Sequence, residues 1–318
     1  MKNKLIFLLC ILFLLIFSSG CSSQVIAHEP VQEIPYEPFD GERAWQDVDY
    51  QVALGARTPG SPAHAQTIGW IEERLRGLNW EVEVQELQVH VDGNQRTVRN
   101  VIAKTGAGRP WLVLGAHYDT RLVADRDPDF GKRSTPVPGG NDGASGVAVL
   151  LELGRILPNY VHYPMPGSEL RAQQIWLIFF DAEDNGKLAG WDWILGSQAF
   201  VDNLAEKPDA AVIVDMIGDA QLDIYMEKNS DPQLRQEIWD TAAALGYDSW
   251  FIPEEKHRIL DDHVPFIEAG IPAVDLIDMN YAYWHTTQDT ADKVSPESLQ
   301  IVGDTLLSWL VNPSPLGE

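Results

Sequence analysis

Cysteine is almost missing from this chain of 318 residues. There are two, Cys10 and Cys21, and both stand within the first 21 positions. Removal of an N-terminal leader would leave one at most, so no intrachain disulfide can form and the fold has to stand on its core or on bound metal. Basic residues are scarce as well: 23 lysines and arginines face 47 acids, for a formal charge of −24. Nucleic-acid binding needs a basic footprint and is excluded as a partner class. Long apolar runs are short in supply too. The longest, Leu5 to Phe17, is too brief to span a bilayer comfortably. There is no internal repeat, no low-complexity run, and no compositional sign of general disorder, with 45% hydrophobic and 22% charged residues.

The beginning of the chain reads as an export signal. Lys2 and Lys4 precede the Leu5–Phe17 run, and Ser18-Ser19-Gly20-Cys21 follows it. Small residues before a cysteine are the pattern of a bacterial lipobox, although Ser18 stands where leucine is usual. Residues 1–20 are therefore expected to be a signal peptide, and the protein to be exported, either secreted or held at the cell surface. Its membrane contact would be only a lipid anchor at Cys21. Residues 21–40, with Pro30, Pro35 and Pro38 among polar positions, read as a tether. A single catalytic domain is expected over 41–318.

Within that domain, Ala44–Leu54 and Ala63–Leu78 have helical spacing. Glu81–Val91 alternates apolar and polar residues and pairs with Thr97–Lys104 through Asp92-Gly93. The grammar then changes to short, continuously apolar runs: Trp111–Leu114, Ile175–Phe180, Ala210–Ile217 and Ala273–Ile277. Between them lie helical patterns at Val147–Leu157, Gln198–Leu204, Pro232–Leu245 and Val264–Ala269, with Pro296–Leu310 closing the chain. Buried strands alternating with helices predict an α/β fold: three layers, a mostly parallel central sheet, helices on both faces. In such sheets a site forms beyond the carboxyl ends of the strands.

Chemistry-bearing residues collect there. His117 and Asp119 follow the first buried run, and Asp181, Glu183 and Asp184 follow the second. The third contains Asp215 and runs out at Asp219. Asp261, Asp262 and His263 precede the fourth, and Trp284, His285 and Asp289 come after it. Asp142 sits in the glycine-rich turn Pro138-Gly-Gly-Asn-Asp-Gly-Ala-Ser-Gly146, just before a helix. Taken singly, each is ordinary: Asn-Asp-Gly is a common turn, an acidic loop is usually solvated, and a lone histidine is more often structural than a ligand. Together they place many carboxylates at one mouth, where they repel unless a cation neutralises them. Imidazole and carboxylate donors without thiols point to Zn²⁺.

At this point the chain resembles the zinc exopeptidases that include bacterial leucyl-type aminopeptidases and glutaminyl cyclases. The resemblance runs through Gly115-Ala-His-Tyr-Asp-Thr120, Gly140-Asn-Asp-Gly-Ala-Ser-Gly146, Phe180-Asp-Ala-Glu-Asp184, Asp215-Met-Ile-Gly218, Asp261-Asp-His-Val-Pro-Phe266 and Trp284-His-Thr-Thr-Gln-Asp289, over roughly Gly41 to Leu310. It implies zinc ligation by Asp142, Asp184 and His285, with Asp184 standing where the family usually has glutamate. It implies Glu183 as general acid and base. His117 with Asp215 would hold a second zinc in an aminopeptidase. In a cyclase, one zinc suffices, and Asp215 and Asp261 would form a proton-handling network beside Glu183. Asp261 and Trp284 lean toward a glutaminyl-peptide cyclotransferase acting on peptide or protein N-termini. The alternative is a zinc aminopeptidase; a remote one is a tethered binding module, which has no need of Glu183. Trp284, and either Trp191 or Trp193, would wall the substrate pocket.

Overall fold

The computed structural model describes residues 37–163 and 170–311. The expected signal peptide, the lipid anchor at Cys21 and nearly all of the tether lie outside the described residues. Of the tether, Phe39 is buried against Gly303, and the Asp40 side chain caps the first helix by accepting the Arg43 amide at 3.0 Å.

Seven α-helices occur among the described residues: α1 (Gly41–Leu54), α2 (Pro62–Gly77), α3 (Ala144–His162), α4 (Leu195–Asp202), α5 (Pro232–Ala244), α6 (Val264–Glu268) and α7 (Pro296–Val311). Three of them open alike. Ser61-Pro62, Asp231-Pro232 and Ser295-Pro296 each put a side-chain acceptor before a proline, which caps an orphan amide and presets φ for the first turn.

The strands are β1 (Glu81–Val91), β2 (Asn94–Gly106), β3 (Trp111–His117), β4 (Gln174–Phe180), β5 (Ala210–Asp215), β6 (Ile224–Met226), β7 (Phe251–Glu255) and β8 (Ala273–Ile277). Six form one sheet in the order β1-β2-β4-β3-β5-β8. The β1–β2 hairpin turns on Asp92-Gly93, both at positive φ, which suits the right-handed twist of the strands. It joins β4 antiparallel, and β4, β3, β5 and β8 then run parallel.

Successive residues of the central strands serve opposite faces. Leu112, Leu114, Val212 and Val214 enter the large core shared with α1, α3 and α7. Val113, Ile178, Phe180, Ala211 and Ile213 enter a second core with Phe200 of α4 and Phe266 of α6. Both sides of the sheet are covered, which is why these strands are apolar without alternation. The expected three-layer architecture is the one observed.

Three details depart from the sequence reading. Helix α3 continues past Pro158 to His162. Proline has no N–H to give the Gly154 carbonyl, and the Trp80 indole takes that acceptor at 2.7 Å. The third apolar run stops as a strand at Asp215, because Met216 adopts φ 48° and turns the chain away. Strands β6 and β7 form a separate two-stranded parallel ribbon that no sequence pattern announces.

Candidate metal centre

Strand register brings the first two site residues together. Gly115 of β3 is level with Ile213 of β5, so His117 and Asp215, each two residues on, stand side by side at the carboxyl edge. His117 Nε2 lies 3.0 Å from Asp215 Oδ1 and 3.2 Å from Asp142 Oδ1. Asp142 arrives on the turn before α3. Gly143 follows it at φ 95°, where a Cβ would also meet the Asp119 carbonyl oxygen at 2.7 Å, so glycine is required. The other oxygen of Asp142 faces His285, whose Nε2 is 3.8 Å from Asp142 Oδ2 and 2.9 Å from Asp184 Oδ1. Asp142 thus joins two buried donor sets, His117–Asp142–Asp215 and Asp142–Asp184–His285.

The backbone at the site is forced. Ala182, Ile194, Met216 and His285 all take left-handed φ without being glycine. Each such residue costs on the order of 1–3 kcal/mol and persists only where the surroundings over-determine it.

Buried polar props set the loops, and these the sequence reading did not assign. Asp119 Oδ1 accepts the Glu183 amide at 3.0 Å, and its Oδ2 accepts the Asp184 amide at 3.4 Å and Asn185 Nδ2 at 3.0 Å. Asp289 accepts the amides of Asn141 and Asp142 at 2.7 and 3.2 Å and the Tyr281 hydroxyl at 2.6 Å. Arg57, fully buried, donates to the carbonyls of Tyr118 and Pro138 at 3.1 and 2.9 Å, pinning the glycine-rich turn. Arg121 donates to the Asp184 carbonyl at 2.8 Å. Asp119 and Asp289 stand in the resembling motifs, but which backbone amides they meet is a property of the fold.

Burial pushes Glu183 well above the ordinary carboxylate range, with Asp261 and Asp184 adding to it against the opposing pull of His117. Burial likewise raises Asp184 to about 6 and Asp215 to about 7. Burial opposes charge on His117, yet Asp215, Asp119 and Asp142 outweigh it and hold the imidazole well above its usual value. Asp142 stays below the ordinary range despite burial, because His117, His285 and Arg121 surround it. Two oxygens, Asp142 Oδ2 and Asp184 Oδ2, are buried with no hydrogen-bond donor. Acceptors without donors, beside the ring nitrogen of His285, fit a divalent cation. The Asp142–Asp184–His285 set therefore suits a carboxylate- and imidazole-binding metal such as Zn²⁺.

A pocket of about 300 Å³ opens over this set, and Glu183, Asp215 and Asp261 face it. Trp193 and Trp284 wall it. The Trp193 ring lies parallel to His285 at 6.2 Å, and Trp284 lies 4.1 Å from the same imidazole. Trp191 is not on the pocket wall; it packs beside Val89, Val91 and Val98 in a small apolar cluster. The sequence left these two tryptophans as alternatives, and the positive φ of Ile194 and the Lys187–Trp191 backbone bond set which of them turns inward.

Behind Asp261 lies a third buried set. His263 faces Glu227 at 3.3 Å and Asp275 at 3.6 Å. Glu227 accepts the amides of Asn229, Ser230 and Ile259 at 2.7, 2.7 and 2.9 Å. Although burial opposes its charge, these donors and His263 hold it down at about 2. Asp262 and Asp275 are pushed well up by burial and by Asp261. Of this network, Asp261 is the member that reaches the pocket.

A model described as peptidase family M28 matches residues 100–310. The glutaminyl-peptide cyclotransferase of Gloydius blomhoffii is 26% identical over 312 residues, covering 86% of this chain and 82% of that protein. A solved Zn-dependent exopeptidase from Parabacteroides distasonis superposes with a TM-score of 0.80 at 30% identity, over 87% of this chain and 100% of the other. The Porphyromonas gingivalis glutaminyl cyclase superposes with a TM-score of 0.77 at 33% identity, over 86% of this chain and 98% of the other.

Proposed function

Because the chain belongs to peptidase family M28, we propose that its pocket cyclises the N-terminal glutamine of peptides to pyroglutamate and releases ammonia. The observation that carries this reading is the trio of acids, Glu183, Asp215 and Asp261, facing one small pocket beside the Asp142–Asp184–His285 set. Ring closure moves a proton from an amine to a departing ammonia inside a single molecule and consumes no water, so it needs acid–base groups in reach rather than a place for a nucleophilic water.

Zn²⁺ held by Asp142, Asp184 and His285 would supply Lewis-acid polarisation of the side-chain amide carbonyl. The protein's own groups do the rest. The tryptophan walls exclude solvent and hold the glutamine side chain folded toward its own amine. Glu183 takes a proton from the α-amine as its nitrogen bonds to the side-chain amide carbon. The same carboxyl returns that proton to the amide nitrogen as the old carbon–nitrogen bond breaks, and ammonia leaves. A carboxyl whose affinity for protons is raised by burial can play both parts near neutral pH. Asp215 and Asp261 line the same pocket and would complete the proton-handling network beside it.

One observation favours a second reading, a metal-dependent aminopeptidase: His117, Asp142 and Asp215 form a further donor set that shares Asp142 with the first. The products separate the two. Zinc-loaded protein is incubated with Gln-Xaa and Leu-Xaa peptides and the products are weighed. Loss of ammonia from Gln-Xaa with the peptide bond intact is the expected result. Release of a free amino acid would assign the peptidase instead.

A further inference from the structure

The pocket does not end at its tryptophans. Arg258, Ile259 and Leu260 form a wall shared with a neighbouring groove of about 590 Å³. Val264 and Ile267 give that groove an apolar lining, Lys228 and Arg258 give it positive charge, and Glu268 stands on it too. Leu260 is 53% exposed and stands on the edge between pocket and groove. The Arg258 guanidinium donates to the Asn229 side chain, which also lines the groove. A further cation, Arg126, lies over the Trp284 ring at 3.8 Å.

The charges are thus segregated. Asp142, Glu183, Asp184, Asp215 and Asp261 line the pocket, and Arg258 stands where it meets the groove, in a protein of net charge −24. A substrate that enters amine first matches the interior. A substrate that also carries a carboxylate a few residues later matches the rim. Building on the cyclase reading above, we propose that the groove receives the residues downstream of the N-terminal glutamine and selects for an acidic side chain among them, with Arg258 as its principal partner and Lys228 in support. Leu260 and Ile259 provide the apolar ridge over which the peptide backbone passes between pocket and groove.

The test compares two peptides with free N-termini and amidated C-termini, Gln-Ala-Ala-Glu-Ala and Gln-Ala-Ala-Lys-Ala, at low salt, reading kcat/KM for ammonia release. A ratio of about three to five in favour of the acidic peptide is expected, the range of a partly exposed charge pair. The ratio should shrink toward one as salt rises to 1 M, where the screening length falls to about 3 Å. Arg258→Glu should invert the ratio, and Arg258→Lys should retain most of it. Because the reading is a ratio within each variant, a general loss of activity does not imitate it. Equal rates for both peptides in the natural protein, unmoved by Arg258→Glu, overturn the subsite and leave the cyclase intact. Failure to release ammonia from either peptide overturns the cyclase reading and the subsite with it.

Discussion

Asp119 holds Glu183 from behind: one carboxylate oxygen accepts the Glu183 amide at 3.0 Å, and the other binds the backbone and side chain that follow it. The acid–base group is therefore aimed by a buried acceptor two residues past the end of β3. Asp119→Asn would put an amide donor against backbone donors. We expect kcat to fall by about tenfold or more and stability by roughly 1–3 kcal/mol, the cost of an unsatisfied buried group. Steady-state rates and urea unfolding check this; unchanged kcat with an unchanged midpoint would show that Asp119 does not aim the loop.

Glu183→Gln keeps the shape of the side chain and removes its basicity. Turnover should drop by about 10²–10⁴-fold, while metal content per chain stays that of the natural protein. Retained turnover in the metal-loaded variant would remove Glu183 from the mechanism.

Removal of metal should abolish activity, and added Zn²⁺ should restore it. It should also lower the unfolding temperature, because the buried acids around Asp142 lose their counter-charge; an ion present at 100 times its dissociation constant is worth about 2.7 kcal/mol. Elemental analysis should find metal in the natural protein and little in His285→Ala. Full activity after verified removal would sink the metal centre.

Glu227 should write itself into the pH dependence of stability. Its folded-state value of about 2 lies below the ordinary 4.5, so its contribution is present above 4.5 and is lost as pH falls toward 2. Comparing metal-free natural protein with Glu227→Gln by denaturant unfolding, the variant should be less stable at neutral pH by roughly 3 kcal/mol, and flatter across the window from 4.5 down to 2. Parallel curves would contradict this.

Trp80→Phe strands the Gly154 carbonyl that Pro158 leaves open, at a cost of about 1–3 kcal/mol. Pro158→Ala restores an amide to that carbonyl, so in the Pro158→Ala background the tryptophan should matter less. A double-mutant cycle in urea reads the difference, and additivity would show that the two residues do not share the acceptor.

Much of this was legible in advance because the central strands are buried on both faces and advertise themselves as unbroken apolar runs, and because site residues cluster where those runs end. What was hidden depended on pairing across the sequence. Strand β6 is three residues long and shows no period. Pro158 reads as a helix stop unless one knows that Trp80, far away in the chain, supplies the missing donor. Trp191 and Trp193 share a loop, and only its left-handed turns decide which indole meets His285. Asp119, Asp289 and Arg57 act on backbone atoms, and a backbone atom has no letter in the sequence.

The left-handed turn at His285 carries a consequence for redesign. The chain there holds a shape that glycine would adopt more cheaply. A glycine introduced for durability alone would relieve the backbone and erase a member of the Asp142–Asp184–His285 set as it did so. Resilience and chemistry make opposite demands on this one position.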